Sequence, residues 1–205
     1  MKTILDVGCG SKPWGNINLD LFQGASIHHR FEYNPKDIER FVNSDGSRLP
    51  FRDKSIDVIV SRHCLEHIPE PLKAVKDWER VAKKAVVIMV PNNPTLEEYK
   101  EHLYSWSVVS FKHFLEQVFP MVHVSANSPL EDINKNRLFR RLLRIRLYKK
   151  PMQRFVSRWL GLQITAICYC SGHRGEVPAT VHMDYFEVIQ ETASTLQADP
   201  VELSL

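Results

Sequence analysis

The chain has 205 residues, 43% hydrophobic and 25% charged, a composition ordinary for a globular protein, with a formal net charge of +3. No apolar run approaches the ~18–20 residues that cross a bilayer, and Met1 to Asp6 lacks a signal peptide's apolar stretch, so a cytoplasmic location is expected. Four scattered cysteines exclude a disulfide framework, and the length suggests one domain over residues 1–205.

Thr3 to Val7 is a short apolar run closed by Gly8-Cys-Gly10, which reads as a buried parallel strand entering a tight turn. Asn16 to Leu19 reads as a second strand ending at Asp20. Pro35 to Arg40 reads as a helical turn and Phe41-Val42 as a third strand before Asp45. Ser55 to Val60 is a fourth. From Pro69 to Ala82, the residues Leu72, Val75, Trp78, Val81 and Ala82 recur at helical spacing, and prolines at 69 and 71 suit a helix start. Ala85 to Val90 is a fifth strand stopped by Pro91. A helix over Ser107 to Phe119 precedes a sixth strand, Met121 to Val124, and Leu162 to Tyr169 and Thr180 to Ile189 are β-rich. Apolar strands alternating with helical patterns imply an α/β, doubly wound sheet covered on both faces.

In such a sheet, ligands bind outside the carboxyl ends of the strands. Gly8 and Gly10 let the backbone turn tightly and approach a ligand without a Cβ in the way. Asp6 stands at the strand end, where a carboxylate can pair with the ammonium of an amino-acid ligand, directly or through water. Asp20 ends the next strand, where an acid can accept both hydroxyls of a ribose. A dinucleotide fingerprint is absent, because Pro13 stands where its third glycine belongs. Cys168-Tyr-Cys170, with His173 and His182 nearby, lacks the C-x2-C spacing of a zinc knuckle, and its alternation suits one face of a strand; no metal site is expected.

Leu5-Asp-Val-Gly-Cys-Gly10 resembles the first motif of the class I methyltransferases that use S-adenosylmethionine. Asp45-Gly-Ser-Arg-Leu-Pro-Phe-Arg-Asp-Lys-Ser-Ile-Asp57 resembles that family's D-x-x-x-L-P-F-x-D-x-S-F-D signature, and His63-Cys-Leu-Glu-His-Ile68 its loop after the fourth strand. Arg80-Val81 and Val90-Pro-Asn92 also match, all in the family's order over residues 3 to about 125. The resemblance implies a Rossmann-like, mostly parallel, seven-stranded sheet and S-adenosylmethionine as cofactor. It implies that Asp6, Val7, Gly8, Cys9 and Gly10 line the methionine portion. Asp20 would hold the ribose, Leu21 would pack on the adenine, and Asp45 with Gly46 would meet the adenine amino group. Arg62 and His63 would present backbone near the sulfonium. Two departures stand out. Lys12 replaces a third glycine, and only nine residues, Ser11 to Leu19, separate Gly10 from Asp20, too few for the usual helix and return strand. A subgroup replaces that helix with a short loop, which Gly10-Ser-Lys-Pro-Trp-Gly15 resembles; Trp14 then covers the cofactor cleft or packs on the sheet.

Methyl transfer mostly requires positioning of two partners, with a base only where an acceptor proton leaves early. Glu66, His67 and His102, with His63, are the candidate bases. The competing reading of Glu66 and His67 is structural: they cap the next helix or bond to neighbours. His102, Tyr104 and Trp106 form either an aromatic acceptor wall or the packed start of the next helix. Finally, ten basic and no acidic residues lie between Lys135 and Arg158, leaving 17 basic against 24 acidic elsewhere. This basic helical insertion, bounded at 126–161, is open to three readings: a solvated lid, a surface for RNA or another polyanion, or a face for an anionic membrane. The expected function is methyl transfer to a small-molecule or anionic acceptor; the alternative is a non-catalytic S-adenosylmethionine-binding module.

Overall fold

The computed structural model describes residues 3–21, 34–92, 101–127 and 163–172. The elements run β1 (Ile4–Val7), β2 (Ile17–Asp20), a 3-10 turn (Pro35–Asp37), β3 (Phe41–Asn43) and β4 (Ile56–Arg62). A second 3-10 turn (Leu65–His67), α1 (Pro71–Val81), β5 (Ala82–Pro91), α2 (Val108–Leu115), β6 (Met121–Asn127) and β7 (Gln163–Tyr169) follow. The expected insertion at 126–161 lies outside the described residues, except that 126 and 127 belong to β6. The expected strand Thr180 to Ile189 also lies outside them.

The seven strands form one sheet in the order β3-β2-β1-β4-β5-β7-β6. β1 to β5 pair in parallel, whereas β7 runs antiparallel between β5 and β6. The order reverses at β1, with β2 on one side and β4 on the other, so the ligand crevice belongs at their carboxyl ends. The side-chain period of two divides the apolar residues between the faces. Leu5, Val7, Ile59 and Ile88 join one core with Trp78 of α1 and Phe111 of α2. Val58, Val60, Val87 and Met89 join a second core on the opposite face, with Trp14 packed against it. Burial on both faces explains why these strands read as continuous apolar runs. Cys168 and Cys170 sit together in the first core, as their spacing implies, and all four cysteines are free thiols.

Several boundaries differ from the sequence expectation, among them β4, which runs Ile56–Arg62, and α2, which ends at Leu115; two of the differences have identifiable reasons. β6 continues past Val124 to Asn127 because every residue from Met121 to Asn127 has a β7 partner; ladder pairing extends the strand where apolar alternation stops. β5 starts at Ala82, directly after α1, because Ala82 pairs with Ile56 before a shift in register.

The expected short connection between β1 and β2 is present. Residues 8–16 join the two parallel strands without a helix, and its polar side chains stitch it down. Asn16 Oδ1 accepts from Ile4 N at 2.6 Å, and the buried Asn18 accepts from Gly15 N at 3.0 Å while donating to the Glu39 carbonyl at 2.9 Å. A Cβ on Gly15 would lie 2.4 Å from the Ile17 carbonyl oxygen and 2.8 Å from Asp6 N, so glycine is required where the connection crosses β1.

Candidate active site

The turn after β1 is fastened to the end of β2. Gly8 N and Cys9 N both donate to the Leu19 carbonyl, at 2.8 and 3.2 Å, and Gly10 N donates to Asp20 Oδ2 at 2.7 Å. Gly8 and Gly10 have φ of 74° and 54°, the left-handed region that glycine enters without strain. Among the described residues, a Cβ on Gly10 would meet nothing within 4 Å, whereas one on Gly8 would lie 2.5 Å from Cβ of Cys64. Gly8 is thus pressed against the loop after β4, and Gly10 borders open space. Leu21, just beyond Asp20, is 46% exposed, an uncovered apolar side chain beside this corner.

Asp6 and Arg62 are joined through their side chains. Asp6 is fully buried, and its Oδ2 accepts from Trp14 N and from the Arg62 guanidinium, each at 2.8 Å. The Arg62 guanidinium also donates to the Lys12 carbonyl at 2.6 Å and lies 3.9 Å from the Trp14 ring centroid, a cation–π contact. Arg62 therefore contributes its side chain here, binding the short connection to the end of β1. Trp14 both stacks with Arg62 and packs on the sheet. Burial raises the Asp6 carboxyl above its ordinary range against the opposing pull of Arg62. Its Oδ1 accepts no hydrogen bond among the described residues.

The signature from Asp45 to Asp57 is held mainly by α1. Asp45 is exposed and bends the chain, its Oδ1 accepting from Ser47 N at 2.7 Å. Trp78 is buried and donates to the Gly46 carbonyl at 2.7 Å. Arg80 donates to Asp77, Asp53 and the carbonyls of Phe51 and Leu49, at 2.7 to 3.2 Å. The Leu-Pro-Phe stretch is thus a scaffold tied by one arginine fork, which fixes where Asp45 and Gly46 stand.

The loop after β4 carries the ionisable group. His63 adopts φ of 49°, a strained conformation for a residue with a side chain. Its Nε2 lies 3.0 Å from Gln163 Oε1 and its Nδ1 3.5 Å from Glu66 Oε1. Burial disfavours the His63 imidazolium, but Glu66 and then Gln163 outweigh it and hold its pKa above the usual histidine value. Glu66 is fully buried; its carbonyl accepts from Leu103 N and Tyr104 N, at 2.8 and 3.3 Å. His67 Nδ1 meets the Glu101 carbonyl at 3.0 Å, and the rings of His67 and His102 lie 4.7 Å apart, edge to face. The candidates Glu66, His67 and His102 are therefore brought together, with donor atoms all within 4.8 Å. Neither Glu66 nor His67 caps α1, whose first turn has no side-chain cap.

Trp106 is 8% exposed and packs on Phe111 and Phe114 at centroid distances of 5.2 and 5.7 Å, so it seeds α2. Tyr104 stacks on it and donates to the Pro69 carbonyl at 2.7 Å. Gln163 and the Glu101 carbonyl were not among the expected site groups. No local pattern could flag Gln163, which meets its partner 100 residues along the chain. Two surface clefts, of about 710 and 550 Å³, are lined by residues around Arg80 and around Tyr104, and neither includes Asp6, Gly8, Gly10 or Asp20. The basic residues between Lys135 and Arg158 lie outside the described residues, as do His173 and His182.

Residues 5–90 match the family model described as a methyltransferase domain. Among curated relatives, 2-methyl-6-phytyl-1,4-hydroquinone methyltransferase of Synechocystis is 26% identical over 125 residues, covering 56% of this chain and 39% of the relative. An uncharacterized protein of Methanocaldococcus jannaschii is 26% identical over 163 residues, covering 76% and 71%. The chain thus spans about two fifths of the Synechocystis protein's length. Among solved structures, a methyltransferase in complex with the Trm112 activator of Haloferax volcanii superposes with a TM-score of 0.54 at 18% identity, covering 84% of each chain. A SAM-dependent methyltransferase of Thermotoga maritima gives 0.55 at 12% identity, covering 82% of each. Residues 5–90, a little over two fifths of the chain, are thus similar to a methyltransferase domain, and the solved structures share the fold of this sheet.

Proposed function

We propose that this chain is an active S-adenosylmethionine-dependent methyltransferase acting on a small-molecule acceptor. The observation that carries the reading is the corner at the switch point, where the Gly8–Gly10 turn borders open space and is tied to the Asp20 carboxylate. The residues present fit the cofactor. Val7, Gly8, Cys9 and Gly10 supply backbone to the methionine portion, and the Asp6 carboxylate at the end of β1 pairs with its ammonium, directly or through water. Asp20 takes the ribose hydroxyls, Leu21 covers the adenine, and Asp45 with Gly46 meets the adenine amino group. Arg62 holds Asp6 in place, and His63 borders the sulfonium side.

The bound cofactor supplies an electrophilic methyl, which the acceptor attacks in line as S-adenosylhomocysteine departs. The protein's contribution is to align the two partners and to handle any acceptor proton. Glu66, His67 and His102 stand where the loops after β4 and β5 meet, and they serve the acceptor. Quinol-type compounds enter the acceptor panel because two relatives, the Synechocystis protein and demethylmenaquinone methyltransferase of Staphylococcus aureus, carry such names.

Incubation of the full chain with methyl-tritiated S-adenosylmethionine and a panel of phenolic, quinol, amine and carboxylate acceptors tests the reading. At least one acceptor is expected to become labelled, with S-adenosylhomocysteine formed in equal amount. Cofactor binding without labelling of any acceptor would instead support a non-catalytic binding module.

A further inference from the structure

We propose that Glu66, His67 and His102 form a binding site for a divalent transition-metal ion whose open positions take an oxygen of the acceptor. Metal binding stands on the geometry alone; the role toward the acceptor rests on the reading above.

Glu66 is fully buried, and neither of its oxygens accepts a hydrogen bond among the described residues. Buried carboxylates are normally paired, hydrogen-bonded or bound to metal, because desolvating one without a partner is costly. His63 Nδ1 stands 3.5 Å from Glu66 Oε1, on a side chain that is 51% exposed.

A carbonyl oxygen only accepts, so the 3.0 Å contact with Glu101 places the His67 proton on Nδ1. The lone pair then sits on Nε2. Histidines that bind metals are typically oriented in this way, with the second ring nitrogen donating to a carbonyl or carboxylate.

Leu103 N and Tyr104 N both donate to the Glu66 carbonyl, and the Tyr104 hydroxyl donates to the Pro69 carbonyl. The backbone beside His102 is thereby clipped to the backbone of Glu66. The three donor atoms lie within 4.8 Å of one another. A tetrahedral ion with bonds of ~2.0–2.2 Å holds its donors about 3.4 Å apart, a difference that side-chain rotation can close.

Two imidazoles and one carboxylate suit Zn²⁺, Fe²⁺, Co²⁺ or Mn²⁺ better than Ca²⁺ or Mg²⁺, and three protein donors leave positions open. An acceptor hydroxyl bound there loses its proton to solvent more readily. The O–H bond breaks, a metal–oxygen bond persists, and no electron is transferred. Local sequence spacing hides this set, because His102 lies 35 residues beyond His67 on a separate loop.

The test uses the full chain, stripped with EDTA, dialysed and titrated calorimetrically with Zn²⁺, and in parallel with Co²⁺ under visible absorption. The wild type is expected to bind about one equivalent, with intense d–d bands of four- or five-coordinate Co²⁺. His67→Ala and His102→Ala are expected to weaken binding by at least about 10-fold. His113→Ala, on the exposed face of α2, is expected to match the wild type. A six-coordinate aquo spectrum in the wild type, or folded His67 and His102 variants with wild-type affinity, would overturn the site. Should those variants fail to fold by circular dichroism, the wild-type Co²⁺ spectrum decides. S-adenosylmethionine titrated into the same samples keeps the two proposals separable: its failure would sink the cofactor reading and leave the metal result standing.

Discussion

Only a hydrogen fits between Gly8 and Cys64. A Cβ added at Gly8 would lie 2.5 Å from Cβ and 2.6 Å from Sγ of Cys64, at a φ of 74° that side chains resist. Gly8→Ala is therefore expected to lower stability by at least about 1–3 kcal/mol, read from the denaturant midpoint, and to weaken cofactor binding. A midpoint indistinguishable from the wild type would show that the loops after β1 and β4 are less tightly pressed than described. At this scale the glycine turn is legible in the sequence, because glycines closing an apolar strand form a local signal. The side-chain role of Arg62 is not. Its partner Asp6 lies 56 residues away, and nothing near Arg62 in the sequence marks the pairing. Glu66 shows the same limit: its identity is visible in the sequence, but its burial without a hydrogen-bond donor among the described residues is not.

Among the elements, Asp57 on β4 joins the start of β1 to the start of β5. Its Oδ2 accepts from Thr3 N at 2.8 Å, and its Oδ1 lies 3.4 Å from Lys83 Nζ. Partial burial favours the neutral acid, but the Thr3 hydrogen bond, Lys83 and Lys84 together lower the carboxyl pKa. A depressed folded-state pKa means that this stabilisation is complete above the unfolded value, near ~3.9, and is lost as pH falls through the folded one. Asp57→Asn is expected to melt a few degrees below the wild type at pH 7, with the gap closing as pH falls below about 4. A gap of equal size at pH 7 and pH 3 would contradict this account. The alternation of strands and helices was legible because each apolar run and each helical stripe is contiguous. The full length of β6 was not, since its extension comes from pairing with β7, whose last partner, Gln163, is far along the chain. The signature from Asp45 to Asp57 was recognisable as a string, whereas the reason for it, Arg80 gathering Leu49, Phe51 and Asp53, required the packed helix.

For the whole molecule, the sheet order places β1 at the switch point, and the short connection brings Trp14 and Arg62 together at that corner. This corner is expected to bind S-adenosylmethionine, with Asp20 holding the ribose. Calorimetric titration of the full chain with S-adenosylmethionine, on wild type and Asp20→Ala side by side, tests it most directly. Losing hydrogen bonds to a charged acceptor removes about 1.5–3 kcal/mol, so the variant should bind roughly 10- to 100-fold more weakly while keeping a cooperative melting transition. No heat of binding to the wild type, or an unchanged affinity in folded Asp20→Ala, would contradict the claim.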